Sequence, residues 1–355
     1  MATAPCSPSH TLGQRRDVQR TVRRLVLWPS WIVVAALALL FATGLEVPQW
    51  AEYLPFALSL VVFGLPHGAV DHLAVPRLLG RRAWPWPVVA VGLLYLVLSG
   101  LYLVFWFVAP AVSFACFILL TWFHWGAGDL YALMAYGSGA ATYPRGRAHR
   151  ALALILRGGL PMLVPLLAFP ETYRAVAESI VGLFAPTGGD VFSWVFEPPL
   201  RLLAGTAFVL FAVLTLGSSY GSAKESGAYG MWRTDVAETV LLALYFALVP
   251  PVLAVGLYLC LWHAPRHVAR LVLLDPKSVS ALEAGRAAPI VVRFTRDAAP
   301  LTVVALVFLV GLYLVVPGTG VDLSPLLALY LVLISALTLP HVVVVSFMDL
   351  RQGLW

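Results

Sequence analysis

The sequence predicts an all-α, polytopic transmembrane helix bundle of about ten spans, two of which form a helical hairpin at a Pro-Pro pair. Of its 355 residues, 61% are hydrophobic and only 11% are charged, whereas soluble domains are about half apolar and about a quarter charged. The apolar residues are gathered into runs of about 20, the length that crosses about 30 Å of hydrocarbon. The lysines and arginines lie mainly between these runs.

Eight apolar runs qualify as single spans. The run Val236–Arg270 differs because Pro250 and Pro251 divide it, and adjacent prolines remove backbone donors and interrupt a helix. We predict a hairpin of two shorter helices there rather than one kinked helix. The amphipathic segment Thr172–Ala185 is too short to cross and is predicted to lie at the interface. The single spans are Leu27–Leu45, Glu52–Leu73, Trp86–Ala109, Ala111–Met134, Arg150–Phe169, Leu200–Gly217, Ala298–Val316 and Ser324–Phe347.

The distribution of cations supports ten spans. With the N-terminus in the cytoplasm, 20 of the 23 lysines and arginines lie on the cytoplasmic side, as the positive-inside rule requires. Nine spans would place the basic loop around Lys277 outside. The sequence therefore predicts a multi-pass protein of the cell membrane with both termini in the cytoplasm. Residues 1–26 are a basic cytoplasmic tail and residues 27–355 a single transmembrane catalytic domain, and the net charge of +6 reflects topology rather than nucleic-acid binding.

Histidines are placed unusually for a membrane protein. Ionisable side chains inside a bilayer are costly and usually face a cavity or a partner. In the ten-span topology, histidines on the second, fourth, eighth and tenth spans fall past the middle of helices that all run from outside to inside. They share a depth in the cytoplasmic half, which predicts one convergent site. The histidines in or at the end of spans are His67, His72, His124, His263, His267 and His341.

The spacing of these histidines favours a metal site. His263 and His267 stand at positions i and i+4, on one helical face, which suits two ligands of one ion. An imidazole site without cysteine suits iron, copper, zinc or nickel. Asp71 and Asp129 each follow a span histidine by four or five residues, so they are candidates for holding the second nitrogen of a ligating ring. Capping a helix end or pairing with an arginine is an equally open role for both carboxylates.

Aromatic side chains crowd the same motifs. They either belong to an interfacial belt or wall a dry slot for a long apolar substrate. No span contains a lysine, which excludes a retinal Schiff base, and the phosphate-binding and dinucleotide-binding glycine motifs are absent. The candidate cavity residues are Trp122, Phe123, Trp125, Tyr131, Tyr258 and Trp262.

These motifs resemble those of the Brp/Blh family, the microbial membrane-bound β-carotene 15,15'-dioxygenases. The resemblance covers roughly Tyr53 onward, and its most specific piece is the run from Pro66 to Asp71, Pro-His-Gly-Ala-Val-Asp. The other matching residues are Phe123-His124-Trp125-Gly126 with Asp129, Pro250-Pro251 with Trp262-His263 and Arg266-His267, and Leu339-Pro340-His341 with Asp349.

The resemblance implies an enzyme that uses Fe(II) and dioxygen to cleave the central double bond of β-carotene into retinal. It implies four iron ligands, with Asp71 and Asp129 behind them. We place His341 in the cavity wall or behind the ligands, because a fifth imidazole would leave little room for oxygen. Pro265 departs from the family pattern, and His72 has no assigned role. The implied ligands are His67, His124, His263 and His267, and the implied partners are β-carotene, dioxygen, the bilayer and a microbial rhodopsin that takes up the retinal.

Two other functions remain open from the residues. One is a different histidine-ligated membrane oxidase, a desaturase or hydroxylase, which would hold two irons; those enzymes carry adjacent histidine pairs, which this chain lacks. The other is a non-enzymatic carrier of carotenoid or haem. Metal content, a Soret band and pigment retention without turnover distinguish these functions.

Overall fold

The structure is a computed structural model that describes residues 18–80, 85–137, 143–185, 189–316 and 320–355. Every regular element in these ranges is helical, so the predicted all-α class is confirmed. The α-helices are α1 (Val18–Ala42), α2 (Gln49–Ser59), α3 (Gly64–Ala69), α4 (Asp71–Leu78), α5 (Pro85–Val108), α6 (Pro110–Tyr136), α7 (Gly146–Ala168), α8 (Pro170–Gly182), α9 (Pro198–Glu225), α10 (Tyr229–Leu248), α11 (Pro251–Leu257), α12 (Ala264–Val272), α13 (Pro276–Glu283), α14 (Ala287–Val315) and α15 (Leu323–Arg351).

Eight of the described helical segments are long and apolar enough to cross a membrane, and each coincides with one of the predicted single spans. The second of them is interrupted, because α2 ends at Ser59 and α3 begins at Gly64. Pro66 explains the restart: a proline fits the first turn of a helix, where its missing N–H has no partner, but not a helix interior. The break places the short helix α3, which carries His67, inside the bundle.

The run divided by the two prolines folds as a hairpin. Its first arm is α10, and its second arm begins at Pro251 with α11. The Tyr245 hydroxyl donates to the Ala254 carbonyl at 3.0 Å, close to the turn, and Arg266 donates to Glu238 at 3.3 Å, far from it. Pairs at increasing distance from the turn show that the arms run antiparallel. With the eight single spans, the hairpin brings the number of helical crossings to about ten.

The helix α15 is the axis of the bundle. In the most apolar 18-residue stretch of α15, 67% of the residues are buried inside the protein. In the corresponding stretch of α9, at the periphery, only 6% are buried. It packs against α5, α6 and α8. Side chains on α9 are largely apolar and exposed, the surface expected where lipid replaces water as the solvent.

Two further predicted segments have helical counterparts. The segment expected at the interface overlaps α8, which begins two residues earlier at Pro170, and is followed by a 3₁₀ helix over Gly189–Phe196. The helix α1 begins at Val18, so residues 18–26 of the expected tail are helical and continue into the first span. The rest of the tail, residues 1–17, lies outside the described residues.

Candidate metal centre

Five of the six span histidines meet at one place in the interior. The Nε2 atoms of His124 and His263 lie 2.9 Å apart. The ring of His67 lies 5.6 Å from the rings of both hairpin histidines and 5.1 Å from that of His341, centroid to centroid. The group combines His67 on α3, His124 on α6, His263 and His267 on the second hairpin arm, and His341 on α15.

The two hairpin histidines face the same centre although Pro265 lies between them. A proline lacks the N–H donor and clashes with the carbonyl four residues before it, which here belongs to Leu261. The helix widens to a π-helix over Tyr258–His263, directly before the proline. The Ser30 hydroxyl lies 2.6 Å from the Leu261 carbonyl oxygen. Pro265 is therefore accommodated by a local change of helix type, of a kind often found at functional sites.

Hydrogen bonds to Nδ1 orient two of the rings. The Nδ1 atom of His67 lies within hydrogen-bond distance of carbonyl oxygens one turn before it on the chain. The Nδ1–H of His341 donates to Asp71 Oδ2 at 2.6 Å. Both contacts leave Nε2 as the nitrogen that can bind a metal. The Nε2 atoms of His267 and His341 are buried without a hydrogen-bond partner among the described residues, and buried polar atoms of this kind are rare unless they serve a ligand.

Asp71 is buried behind His341. Its Oδ2 accepts from His341 and from the Tyr95 hydroxyl, both at 2.6 Å. The carboxylate expected to hold an imidazole thus bonds His341 from α15, rather than its sequence neighbour His67. Nothing in the sequence singles out Tyr95, because a tyrosine in an apolar span matches no pattern that separates it from lipid-facing aromatics.

Asp129 has different partners from the imidazole that we expected. It accepts from the Trp262 indole N–H at 3.0 and 3.1 Å, and it lies 3.6 Å from the Arg157 guanidinium. The arginine pairing, which the sequence left open, is therefore its arrangement in the structure. Since Trp262 directly precedes His263, Asp129 holds the side chain beside that histidine rather than a ring nitrogen of a histidine.

A group of buried charges joins the hairpin to α7. Arg157 donates to Asp235 at 2.8 and 2.9 Å and to Glu238 at 2.9 Å. Glu238 also accepts from Arg266 on the second arm. All four side chains are buried, and buried charges persist only when they are paired. The group fixes α7, α10 and α12 relative to one another beside the histidines, and no sequence pattern connects its members.

Glycines allow the helices around the site to approach closely. A Cβ atom added to Gly128 would lie 3.1 Å from the His263 ring. One added to Gly126 would lie 2.2 Å from the Leu154 carbonyl oxygen on α7, a separation that no side chain tolerates. Glycine at these two positions therefore permits the close approach of α6 to α7 and to the His263 ring.

Three of the candidate cavity aromatics form a layer. Trp125 lines a pocket beside the histidines. Tyr258 packs on Trp125 with 4.8 Å between ring centroids, and Trp262 stacks on Tyr258 at 6.3 Å. Because Tyr258 and Trp262 are fully buried behind Trp125, they support the wall instead of forming it.

The other three aromatics point elsewhere. Trp122 donates to a backbone carbonyl of α7 at 2.8 Å. Tyr131 lies beneath the guanidinium of Arg270, 3.9 Å from ring centroid to carbon. Phe123 is 37% exposed. Aromatic clustering near a histidine therefore identified the region of the site but not which rings line a pocket.

Two apolar pockets meet at the histidines. The inner pocket lies between α2, α6, α7, α8, α11 and α15 and has a cavity volume of about 150 Å³. The outer pocket lies between α3, α5, α14 and α15 and has a cavity volume of about 430 Å³. Two of the clustered histidines lie at their junction, because five residues line both pockets: His67, Leu259, Ile334, Thr338 and His341.

The pockets differ in their access to the surface. The inner pocket is bounded by buried side chains such as Phe114, Met162 and Ile180. The outer pocket includes Leu96 and Val304, which are 72% and 60% exposed. Apolar side chains exposed on spanning helices face lipid. The outer pocket therefore opens sideways between α5 and α14.

The donor atoms at the junction suit a transition metal. Buried neutral imidazoles without thiolates are ligands for iron, copper, zinc or nickel. His341, which we expected outside the ligand group, belongs by position to two triplets of potential ligands. His72 lies apart, with its Nδ1 hydrogen-bonded to the Ala69 carbonyl of its own segment. The triplets, each with ligand atoms within 4.8 Å of one another, are His67, His124 and His341, and Asp71, His267 and His341.

The chain is similar to known proteins over most of its length. A family model described as beta-carotene 15,15'-dioxygenase matches residues 58–349, which include all five clustered histidines. The chain is 44% identical to the probable beta-carotene 15,15'-dioxygenase Blh of Halobacterium salinarum, over 94% of this chain and 95% of that protein. It is 32% identical to the probable dioxygenase Brp of the same species, over 96% and 94%, and 24% identical to a beta-carotene 15,15'-dioxygenase of an uncultured marine bacterium, over 63% and 70%. No solved structure matches the chain.

Proposed function

Because the chain belongs to the beta-carotene 15,15'-dioxygenase family, we propose that it cleaves the central double bond of β-carotene with dioxygen, at an iron ion held by the histidine group, and yields retinal. The relatives are named as beta-carotene 15,15'-dioxygenases. What the structure adds is an arrangement of pockets and imidazoles that suits this reaction.

The meeting of two pockets at the histidines carries the proposal. A long apolar polyene that occupies both pockets at once has its middle at the junction and one end in each pocket. Reaction at the junction then divides the molecule near its centre. A single blind pocket ending at the metal would instead place one end of the substrate there. The shared lining residues His67 and His341 support the first arrangement.

We propose His67, His124, His263 and His267 as iron ligands, and the contacts of His341 add it as a fifth. Its Nε2 is buried and unpartnered while its Nδ1 is held by Asp71, the arrangement in which a carboxylate fixes a ligating imidazole. When bound, iron supplies the redox chemistry that activates dioxygen, which carbon–carbon cleavage requires and protein side chains alone lack.

The side chains around the junction orient and protect the reacting parts. Asp71 holds the proton of His341 on Nδ1, and the Tyr95 hydroxyl holds Asp71 in place. The walls, formed by residues such as Phe117, Trp125 and Leu259, are apolar and exclude water. A dry, shaped pocket keeps the polyene extended and protects the reaction from hydrolytic side reactions.

The reaction needs no further reductant. One dioxygen molecule adds across one carbon–carbon double bond, that bond is broken, and each carbon ends as an aldehyde with one oxygen atom. Both electron pairs of the double bond are accounted for in the two new carbonyl groups. This balance agrees with a site that offers imidazoles and apolar walls.

We further propose that both termini lie in the cytoplasm of a multi-pass cell-membrane protein, as the cation distribution suggests. β-Carotene is dissolved in the bilayer, so the lateral opening between α5 and α14 provides its access from lipid. Retinal released to the bilayer would be available to a microbial rhodopsin.

Expression in a cell that accumulates β-carotene tests the proposed function. The expected result is loss of carotene colour together with appearance of retinal, and a matched His263→Ala strain should keep its colour. Persistent colour with iron and oxygen present, or formation of off-centre apocarotenals only, would contradict the proposal. A haem carrier would show a Soret band, a carotenoid carrier would retain pigment unchanged, and a desaturase-like oxidase would hold two irons per chain.

A further inference from the structure

The inner pocket is separated from a third cavity by two side chains. This side groove lies between α2, α14 and α15 and has a cavity volume of about 380 Å³. Phe56 and Leu327 line both the inner pocket and the side groove. They are only 5% and 7% exposed, whereas Val310 in the groove is 58% exposed. A wall one side chain thick therefore divides the closed inner pocket from a groove that faces lipid.

This wall lies far from the histidines. Leu327 is in the first turns of α15 and His341 is fourteen residues later, which corresponds to about 21 Å of helix. A half-substrate with its cut end at the histidines would thus have its other end near Phe56 and Leu327.

The helix that carries Phe56 is weak at this point. Pro55 removes one backbone donor from α2, and α2 ends at Ser59, one turn after Phe56. The Phe56 ring packs edge-to-face against Tyr330 at 6.3 Å and closely against Gly256, where an added Cβ would lie 3.1 Å from the ring. Phe56 therefore lies near a helix end, where the backbone opens more readily than inside a regular helix.

We propose that Phe56 and Leu327 form a gate through which the product formed in the inner pocket leaves for the bilayer. The ligand is an apolar isoprenoid aldehyde. The inference rests on the proposed function, because central cleavage leaves one aldehyde in each pocket. The aldehyde in the outer pocket has the lateral opening between α5 and α14. The aldehyde in the inner pocket must either pass the five imidazoles or pass between Phe56 and Leu327. Beyond these two side chains lies the apolar side groove, which faces lipid.

The test measures release of retinal without turnover. The full chain is loaded with iron in lipid nanodiscs, kept free of dioxygen, and saturated with all-trans-retinal. Transfer of retinal to acceptor vesicles is followed by recovery of protein tryptophan fluorescence, to which Trp125 in the inner pocket contributes. Two release phases are expected, one from each pocket.

Matched variants assign the phases. Phe56→Ala should accelerate the slower phase by about tenfold or more, since the wall loses its largest side chain, and Leu327→Phe should slow it by a similar factor because overpacking raises the barrier. Gly100→Phe places a ring in the outer pocket, where an added Cβ meets no atom within 4 Å, and should slow the faster phase alone. If Phe56→Ala fails to fold, the Leu327→Phe variant still tests the gate.

The proposal is overturned if Gly100→Phe slows all release while the Phe56 and Leu327 variants change no phase. It is equally overturned if release shows a single phase that neither gate variant alters. These results concern the gate alone. The proposed function itself fails separately, if the iron-loaded wild-type protein forms no retinal from β-carotene in the presence of dioxygen.

Discussion

Replacing Asp71 by asparagine should weaken iron binding without unfolding the protein. Asp71 Oδ2 accepts two hydrogen bonds of 2.6 Å, from His341 and Tyr95, while its Oδ1 is buried without a partner. An asparagine that keeps both bonds must place its NH₂ group at the Oδ1 position, where the structure gives it no acceptor. It also removes the negative charge that raises the basicity of the imidazole. Loss of such a support typically costs about 10–100-fold in metal affinity, or roughly 1.4–2.7 kcal/mol.

Competition with a calibrated iron chelator, on protein purified in detergent, measures this loss as a change in Kd. Tyr95→Phe removes one of the two bonds and keeps the carboxylate, so it should weaken binding by only about fivefold, the equivalent of roughly 1 kcal/mol. Asp297→Asn is the matched control, because Asp297 pairs with Arg77 and Arg296, away from the five clustered histidines. An Asp71→Asn protein that is folded and binds iron within about twofold of wild type would refute the role given to Asp71.

Three further substitutions test the role of His341, the buried charge group and the orientation of the chain in the membrane. His341→Ala should lose iron to the same extent as His67→Ala in metal analysis; a variant that keeps full iron would return His341 to the cavity wall. Arg157→Met leaves Asp235 and Glu238 without their buried partner, so thermal unfolding in detergent should show destabilisation of about 3–5 kcal/mol, with Arg157→Lys intermediate; an unchanged melting temperature would contradict the structural role of the charge group. In a cysteine-free background, Lys277→Cys should react with an impermeant thiol reagent only from the cytoplasmic side and Val321→Cys, 81% exposed, only from the outside; labelling of Lys277→Cys from outside would rule out the proposed orientation.

The spans and the hairpin were predictable because both depend on local properties of the chain. Runs of apolar residues identify helices that lipid can solvate, and paired prolines remove donors wherever they occur. The convergence of histidines also followed, since successive spans alternate in direction and position along a span then fixes depth in the bilayer. Each of these inferences needs only the residue types and their order.

The contacts that orient the site were not predictable in this way. Asp71 and His341 are separated by 270 residues, and Tyr95 joins them from a third helix. Periodicity tells which face of a helix a residue occupies, but not which neighbour that face meets. For the same reason the sequence suggested an imidazole partner for Asp129, which bonds Trp262 instead, and it gave no sign of the π-helix that accommodates Pro265.

The ratio of products to substrate tests central cleavage at the pocket junction most directly. Purified iron-loaded protein in lipid is given β-carotene and dioxygen, and carotene loss, retinal and oxygen uptake are quantified together by chromatography and an oxygen electrode. We predict two retinal molecules formed and one dioxygen consumed for each β-carotene lost. One retinal or none per carotene, accompanied by longer apocarotenals, would contradict the placement of the substrate centre at the histidines.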